Sequence, residues 1–231
     1  MFRNPLYLSS NLPLPSFSNM RQGYLFLYNM VQWGGWVMIF LDFVQQKGYL
    51  TDQGQVMLYT FQLLAILEFF HALLGIVRTS PITTFIQVFG RLQVLLVHHN
   101  IVPEARDSVG NVFMIAAWSC VEIVRYLFLA LNVIGVAPYP LLWLRYSLFY
   151  ILYPIGVYGE MKVIYDSLDR IESENFLSYN LPNAWNIPFS FATYLRVFLY
   201  VLYMPGLVNQ YTYMMKQRRV VLMREVEKKT S

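Results

Sequence analysis

Charged residues are scarce in this chain of 231 residues. Asp, Glu, Lys and Arg make up 13% of it, whereas hydrophobic residues make up 57% and aromatic residues 17%. A typical soluble domain carries about 25% charged residues, so the deficit indicates lipid as the solvent. The single cysteine, Cys120, excludes an intrachain disulfide and a cysteine-based metal cluster. The net charge of +4 is too weak, and too concentrated near the C-terminus, to favour nucleic-acid binding.

Long apolar runs take the place of the missing charge. A helix needs about 20 apolar residues to cross the hydrocarbon core of a bilayer. The windows that meet this length are 24–44, 56–77, 82–102, 112–132, 141–165 and 189–209. We therefore predict an all-α polytopic membrane protein, a bundle of six transmembrane helices, of which the third is the least hydrophobic. Residues 1–23 are predicted to be a flexible N-terminal segment, 24–210 the membrane domain and 211–231 a basic tail.

The distribution of Lys and Arg predicts the orientation of this bundle. Nine of these residues fall on the side that holds both termini and three on the other, which places both termini in the cytosol. The acidic loop 166–188 then faces the lumen. The chain ends in EVEKKTS, a KKxx pattern that is read as a retrieval signal for the endoplasmic reticulum. The alternative is that these lysines are simply a solvated basic tail.

The fifth window contains YPIGVYGE, where a carboxylate interrupts an apolar run. Tyr153, Gly156 and Glu160 fall on one helical stripe, with Tyr153 and Glu160 about 10 Å apart along the axis. We interpret them as an acid/base pair on either side of a substrate slot that Gly156 leaves open. The alternative is a packing helix, kinked at Pro154, in which Glu160 pairs with Arg196 or Arg145.

Other ionisable residues also fall at membrane depth, where each needs a partner or a purpose. Most are expected to form interhelical pairs that hold the bundle together, and Glu122 and Arg125 are spaced to pair within one helix. The polar residues that we retain as candidates for supporting the slot or contacting the substrate are Glu68, Gln87, Arg91 and Arg145.

Several kinds of site are excluded by spacing. A protein tyrosine phosphatase needs five residues between its cysteine and arginine, whereas CVEIVR has four between Cys120 and Arg125 and lies in an apolar run. His98 and His99 are adjacent, so on a helix they face different directions and make a poor metal site. We predict no metal and no cofactor.

The run LRYSLFYILYPIGVYGE resembles the 3-hydroxyacyl-CoA dehydratases of very-long-chain fatty acid elongation, also called the protein tyrosine phosphatase-like or PASTICCINO 2 family. The resemblance covers roughly residues 24–219 and includes YLFLYNMVQWGGW, LEFFHALLGIVRTSP, WSCVEIVRY, LPNAWN and YMMKQRR.

This resemblance implies six spans in the endoplasmic reticulum membrane and a lyase that dehydrates (3R)-3-hydroxyacyl-CoA to trans-2-enoyl-CoA, the third step of the elongation cycle. The catalytic tyrosine and glutamate of the family fall on Tyr153 and Glu160. The implied partners are the acyl-CoA substrate, the lipid bilayer and the other enzymes of the elongation cycle. The alternatives are a non-catalytic scaffold of those enzymes or of phosphorylated partners, and a transporter, although the spans lack an inverted repeat.

Overall fold

The computed structural model of the protein describes residues 20–97, 101–179 and 188–230. These residues are helical apart from short connections, with one isolated antiparallel bridge between Tyr179 and Phe189. The helices are α1 (Met20–Gln45), α2 (Asp52–Leu64), α3 (Ile66–Leu73), α4 (Pro81–Leu96), α5 (Val109–Val133), α6 (Tyr139–Arg145), α7 (Phe149–Ser173), α8 (Phe191–Val197) and α9 (Met204–Thr230). A 3₁₀ turn, Pro103–Asp107, precedes α5, and a π-helical segment, Phe198–Tyr203, joins α8 to α9.

The all-α prediction is confirmed for the residues described, and helices occupy most of each of the six apolar windows. Three stretches are long and apolar enough to cross a membrane: Asp52–Leu73, Val109–Val133 and Tyr139–Ser173. A fourth is obtained if the bent pair Phe191–Val201 and Met204–Met223 forms one span. Within the window 82–102, α4 has 16 residues and a length of about 24 Å, shorter than the hydrocarbon core.

Some predictions fall where the structure describes little or nothing. Residues 1–19 of the predicted flexible segment, His98, His99 and the LPNAWN motif lie outside the described residues. So do the side chains of the KKxx lysines. The predicted boundary of the basic tail at residue 211 lies inside α9, which is continuous from Met204 to Thr230.

The chain divides into two compact units. Among the described residues, the first unit takes in the chain up to Leu95 together with Glu122–Leu142. The second takes in the described parts of the chain from Leu96 to Val121 and from Trp143 onward. Tyr153 and Glu160 both belong to the second unit.

In the first unit, α1 and α2 pack closely because glycines remove the side chains that would separate them. A Cβ atom on Gly35 would lie 2.2 Å from the Phe61 ring, and one on Gly54 would lie 2.0 Å from the Asp42 carboxylate. The Thr51 hydroxyl accepts a hydrogen bond from the Gly54 N–H at 3.1 Å and caps α2. Asp42 in turn accepts the Thr51 N–H at 2.9 Å, so α1 fixes the start of α2.

In the second unit, α7 packs against the first turns of α5 through a pair of glycines. A Cβ on Gly159 would lie 2.5 Å from the Met114 backbone nitrogen and 2.6 Å from the Gly110 carbonyl oxygen. A Cβ on Gly110 would lie 2.8 Å from the Gly159 carbonyl oxygen. Gly159 therefore permits the close approach of a neighbouring helix.

The fifth apolar window differs from its prediction at both ends. It begins as two helices, because residues 146–148 form a turn between α6 and α7. At its other end α7 extends to Ser173, so the first part of the predicted loop 166–188 is helical. The extension is stabilised by burial of Leu168 and Ile171 and by ion pairs from Arg170 to Glu104 and Glu174.

Replacing Gly159 by Ala is expected to destabilise the protein, because the new methyl group meets backbone atoms that cannot move away without separating α5 from α7. Overpacking of this kind costs about 1–3 kcal/mol. The measurement is the thermal unfolding midpoint of the purified protein in one detergent. The matched control is Gly206→Ala in α9, where no atom lies within 4 Å of the added Cβ. Equal midpoints for the two variants would contradict the close approach.

Candidate functional site

Tyr153 and Glu160 lie on one continuous helix, as predicted. α7 runs unbroken from Phe149 to Ser173 and passes through Pro154. Their seven-residue spacing keeps the two side chains within about 20° of each other around the axis and about 10 Å apart along it. Both side chains are half-buried, so each can exchange protons with a bound molecule while most of its surroundings are protein.

The Glu160 carboxylate receives a hydrogen bond on each oxygen. The indole Nε1–H of Trp118, on α5, donates to Oε1 at 2.7 Å, and the hydroxyl of Tyr203 donates to Oε2. An indole nitrogen can only donate, so Oε1 must accept. These two donors, one at each oxygen, fix the orientation of the carboxylate.

Tyr153 lies beside aromatic side chains of its own helix and of α9. Its ring centroid is 5.9 Å from that of Tyr211, which also meets the ring of Phe149 at 5.4 Å. Tyr211 therefore covers the first turn of α7. No residue that the structure describes makes a hydrogen bond to the Tyr153 hydroxyl, which leaves the phenol able to bond a ligand.

The predicted open slot at Gly156 is wrong. Gly156 is buried, and a Cβ built on it would lie 3.2 Å from the Cβ of Ala117 on α5. The space between Tyr153 and Glu160 on this stripe is therefore occupied by a neighbouring helix. Gly156 instead allows α5 to approach α7 closely, and this contact brings Trp118, the residue after Ala117, within hydrogen-bonding distance of Glu160.

The alternative in which Arg196 neutralises Glu160 is also wrong. The Arg196 guanidinium pairs with Glu172, near the end of α7. Arg145 lies with its guanidinium carbon 5.8 Å from the centroid of the Tyr146 ring, at the junction of α6 and α7. Trp118 and Tyr203, which donate to Glu160, are uncharged.

Two of the other candidate residues belong to a buried ionic cluster of the first unit, formed by Glu68, Arg91, Glu122 and Arg125. Arg125 binds the Glu68 carboxylate with two bonds of 2.8 Å and bonds Glu122 at 2.5 Å. Arg91 pairs with the other oxygen of Glu122. Glu122 is only 1% exposed, so its charge depends on these two arginines.

This arginine–glutamate cluster agrees, for these four residues, with the expectation that ionisable residues at membrane depth form structural pairs. It also confirms the pair of Glu122 and Arg125 within α5. Tyr126 donates a further hydrogen bond to Glu68 at 2.6 Å. Gln87, four residues before Arg91, is exposed on α4, and its predicted role at the substrate slot gains no support from its position.

Sequence reasoning missed Trp118 and Tyr203. A tryptophan in an apolar helix signals that its N–H needs an acceptor, and this signal was available for Trp118. The sequence does not say which acceptor it meets, because that depends on how α5 and α7 pack. Tyr203 ends the π-helical segment before α9, and such segments occur often at functional sites.

Comparison with known proteins was made against families, curated sequences and solved structures. The profile of the family "Protein tyrosine phosphatase-like protein, PTPLA" matches residues 62–224. A very-long-chain (3R)-3-hydroxyacyl-CoA dehydratase of Caenorhabditis elegans is 36% identical over 208 residues, which is 87% of this chain and 95% of that protein. The dehydratase 1 of Canis lupus familiaris is 37% identical over 88% of this chain and 84% of its own length.

The chain belongs to the PTPLA family. The dehydratase 2 of Homo sapiens, at 33% identity over 89% of this chain and 83% of its own, agrees. No solved structure matches the chain. The family resemblance read from YPIGVYGE and its neighbouring motifs is thereby confirmed. Tyr153, Glu160, Trp118 and Tyr203 all fall within the region that the PTPLA profile matches.

Replacing Arg125 by Gln is expected to destabilise the protein strongly, because it leaves two carboxylates of the first unit without their shared partner. Breaking a buried ion pair on one side typically costs about 3–5 kcal/mol. The thermal midpoint of the purified protein measures the effect.

The matched control is Arg196→Gln, which removes an exposed ion pair with Glu172 and is expected to cost at most about 1 kcal/mol. If the two variants lose the same stability, the arginine–glutamate cluster does not hold the first unit together.

Proposed function

We propose that this protein is a (3R)-3-hydroxyacyl-CoA dehydratase that forms trans-2-enoyl-CoA in very-long-chain fatty acid elongation. The observation that carries the proposal is the arrangement of Glu160. Its two oxygens both accept hydrogen bonds from uncharged donors, and it shares one face of α7 with a tyrosine whose hydroxyl has no partner among the described residues. The PTPLA relatives named as dehydratases support the same reaction.

In this mechanism Glu160 is the base that removes the proton from C2 of the substrate. The thioester carbonyl acidifies that proton, and a positioned carboxylate can take it. The bonds from Trp118 and Tyr203 fix the orientation of the carboxylate. Because both donors are neutral, they hold the group in place without adding a positive charge beside it.

Tyr153 is the acid that protonates the departing hydroxyl. The C2–H electron pair becomes the C2=C3 double bond, the C3–O bond breaks, and the phenol proton leaves with the oxygen as water. The proton taken by Glu160 then returns to the tyrosinate, so the enzyme regains its starting state. No electrons are gained or lost overall, and the reaction requires no redox cofactor.

The offset between the two side chains suits this division of tasks. Their Cα atoms are about 10 Å apart along the axis, and each functional group must come within about 3 Å of its substrate atom. A two-carbon unit flanked by two such contacts fits between a carboxylate and a phenol. Since Gly156 faces Ala117, we place the substrate beside α7 on the side of α9 and not through the glycine position.

The membrane placement follows from the same function. We propose six spans, with both termini in the cytosol and the chain resident in the endoplasmic reticulum, as the Lys and Arg distribution and the KKxx pattern predict. The same proposal includes the predicted domain limits, with residues 1–23 as a flexible segment, 24–210 as the membrane domain and 211–231 as a basic tail. The acyl chain of the substrate would lie among the helices, and the other enzymes of the elongation cycle would be its partners.

Tyr153→Phe and Glu160→Gln are each expected to lower kcat by about 10²–10⁴-fold, because each removes one proton-transfer group. The measurement is turnover of a long-chain (3R)-3-hydroxyacyl-CoA by purified protein. Tyr158→Phe, which changes an exposed tyrosine of the same helix, and Glu172→Gln, which changes an exposed carboxylate, are the controls. Full activity in either site variant would refute the assignment, and an inactive wild type would favour a scaffold.

Trp118→Phe is expected to lower kcat about tenfold or more with little change in KM, because Trp118 positions the base and does not touch the substrate. In a Glu160→Gln background the same substitution is expected to have no further effect on kcat, since the group that it orients is gone. Trp36→Phe, at a buried tryptophan of the first unit, controls for loss of packing. If the kcat losses of Trp118→Phe and Glu160→Gln multiply in the double variant, Trp118 has a role that is independent of Glu160.

A further inference from the structure

Two arginines, Arg145 and Arg218, lie at the turn that precedes α7. Residues 143–159 contain Arg145 and no acid, and residues 197–223 contain Arg218 and no acid. Arg125 pairs with a carboxylate of its own helix, and Arg91 pairs with one of another helix. Arg218 makes no ion pair with a carboxylate among the residues that the structure describes, and a cation of this kind can bind an anion.

The structure brings Arg218 of α9 onto the turn that precedes α7. Its Nε–H donates to the Ser147 hydroxyl at 3.0 Å, and its guanidinium carbon lies 5.5 Å from the centroid of the Tyr150 ring. Arg145, two residues before Ser147, lies over the ring of Tyr146. All of these residues belong to the second unit, and so do Tyr153 and Glu160.

The position of Arg218 leaves its binding fork available. The bond to Ser147 uses Nε alone, and no residue that the structure describes bonds to its two terminal nitrogens. Those nitrogens can bind two oxygens of one phosphate, an arrangement for which arginine is favoured. Ser147 and the Tyr150 ring hold the stem of the side chain, so less conformational freedom is lost when an anion binds.

The turn before α7 and the proposed acid/base pair follow one another along a single helix. From Phe149, the first residue of α7, the helix rises about 6 Å to Tyr153 and about 16 Å to Glu160. Acyl-CoA carries its phosphates at one end of the long pantetheine arm and its thioester at the other. Phosphates at the turn would therefore let the arm run along α7 and place the thioester between Tyr153 and Glu160.

We propose that Arg218 binds the phosphates of the CoA moiety at the turn formed by residues 145–148. This inference rests on the proposed dehydratase function, and it adds the subsite that would recognise the CoA part of the substrate. Anionic lipid headgroups offer the same phosphate chemistry at a membrane surface, so the test has to separate the two sources.

The test compares two substrates that carry the same acyl group, one as the CoA thioester and one as the N-acetylcysteamine thioester, which has no phosphate. Arg218→Gln is expected to raise KM for the CoA substrate about tenfold with kcat unchanged, since a charge-assisted bond is lost. KM for the phosphate-free substrate is expected to stay the same. Arg218→Lys, which keeps the charge but not the fork, should recover part of the loss.

The matched control is Arg219→Gln, which removes the same charge at the next position of α9 and is expected to change the ratio of the two KM values by less than about twofold. Equal rises in KM for both substrates would mean that Arg218 only ties α9 to the turn, and would overturn the proposal. The proposal is also overturned if the ratio of the two KM values is the same in the wild type and in Arg218→Gln.

Binding of free CoA, measured by calorimetry on the detergent-solubilised protein, separates this inference from the proposed function. Arg218-dependent binding of CoA by a protein that shows no turnover supports the subsite and refutes the dehydratase. Turnover that is indifferent to Arg218 refutes the subsite alone. Repeating the kinetics in phosphatidylcholine nanodiscs with and without phosphatidylserine tests the lipid source. An effect of Arg218→Gln that appears only with phosphatidylserine assigns the site to lipid and overturns the proposal.

Discussion

A carboxylate held among apolar helices must receive hydrogen-bond donors, and the carboxylates of this protein differ in the donors that they receive. Glu122 is bound by two arginines, one on each oxygen, and Glu68 is bound by both terminal nitrogens of Arg125. Such ion pairs hold the helices together, and they leave a carboxylate little basicity. Glu160 instead receives an indole N–H and a phenol O–H. Neutral donors orient it and still leave it able to take a proton, which explains why Glu160 is the candidate base.

The donors reach Glu160 only because the backbones of α5 and α7 come close together. Gly110 and Gly159 oppose each other at the crossing, and one helical turn away Gly156 meets Ala117. The next residue of α5 is Trp118, and the next turn of α7 carries Glu160, so the glycine contact and the hydrogen bond belong to one helix crossing. A larger residue at position 156 would push α5 outward and lengthen the bond to the indole. Gly156 therefore acts on the chemistry through packing, where the sequence suggested an opening for substrate.

What the sequence predicted well are properties of single helices. Apolar run length located the helical segments, and helical periodicity correctly put Tyr153 with Glu160, and Glu122 with Arg125, on shared faces. What it could not predict are properties of helix pairs. Periodicity shows that Gly156 lies on the stripe of Glu160, but not that Ala117 fills the space beside it. For the same reason, the sequence could not predict the partners of Arg196 and Trp118. The extension of α7 to Ser173 was missed because the hydropathy pattern marks only the apolar run. Beyond that run the helix is continued by Arg170 and its acidic partners.

Tyr153 and Glu160 are both carried by α7. The phenol and the carboxylate are held apart by the rise of one rigid helix, so their separation does not depend on how other helices move. Their environments, by contrast, are set by neighbours: Tyr211 beside the phenol, Trp118 and Tyr203 at the carboxylate. α9 begins directly after Tyr203, carries Tyr211 two turns later and reaches Ser147 with Arg218. A displacement of α9 would therefore change the surroundings of Tyr153, of Glu160 and of the turn before α7 together, while leaving the spacing between Tyr153 and Glu160 unchanged.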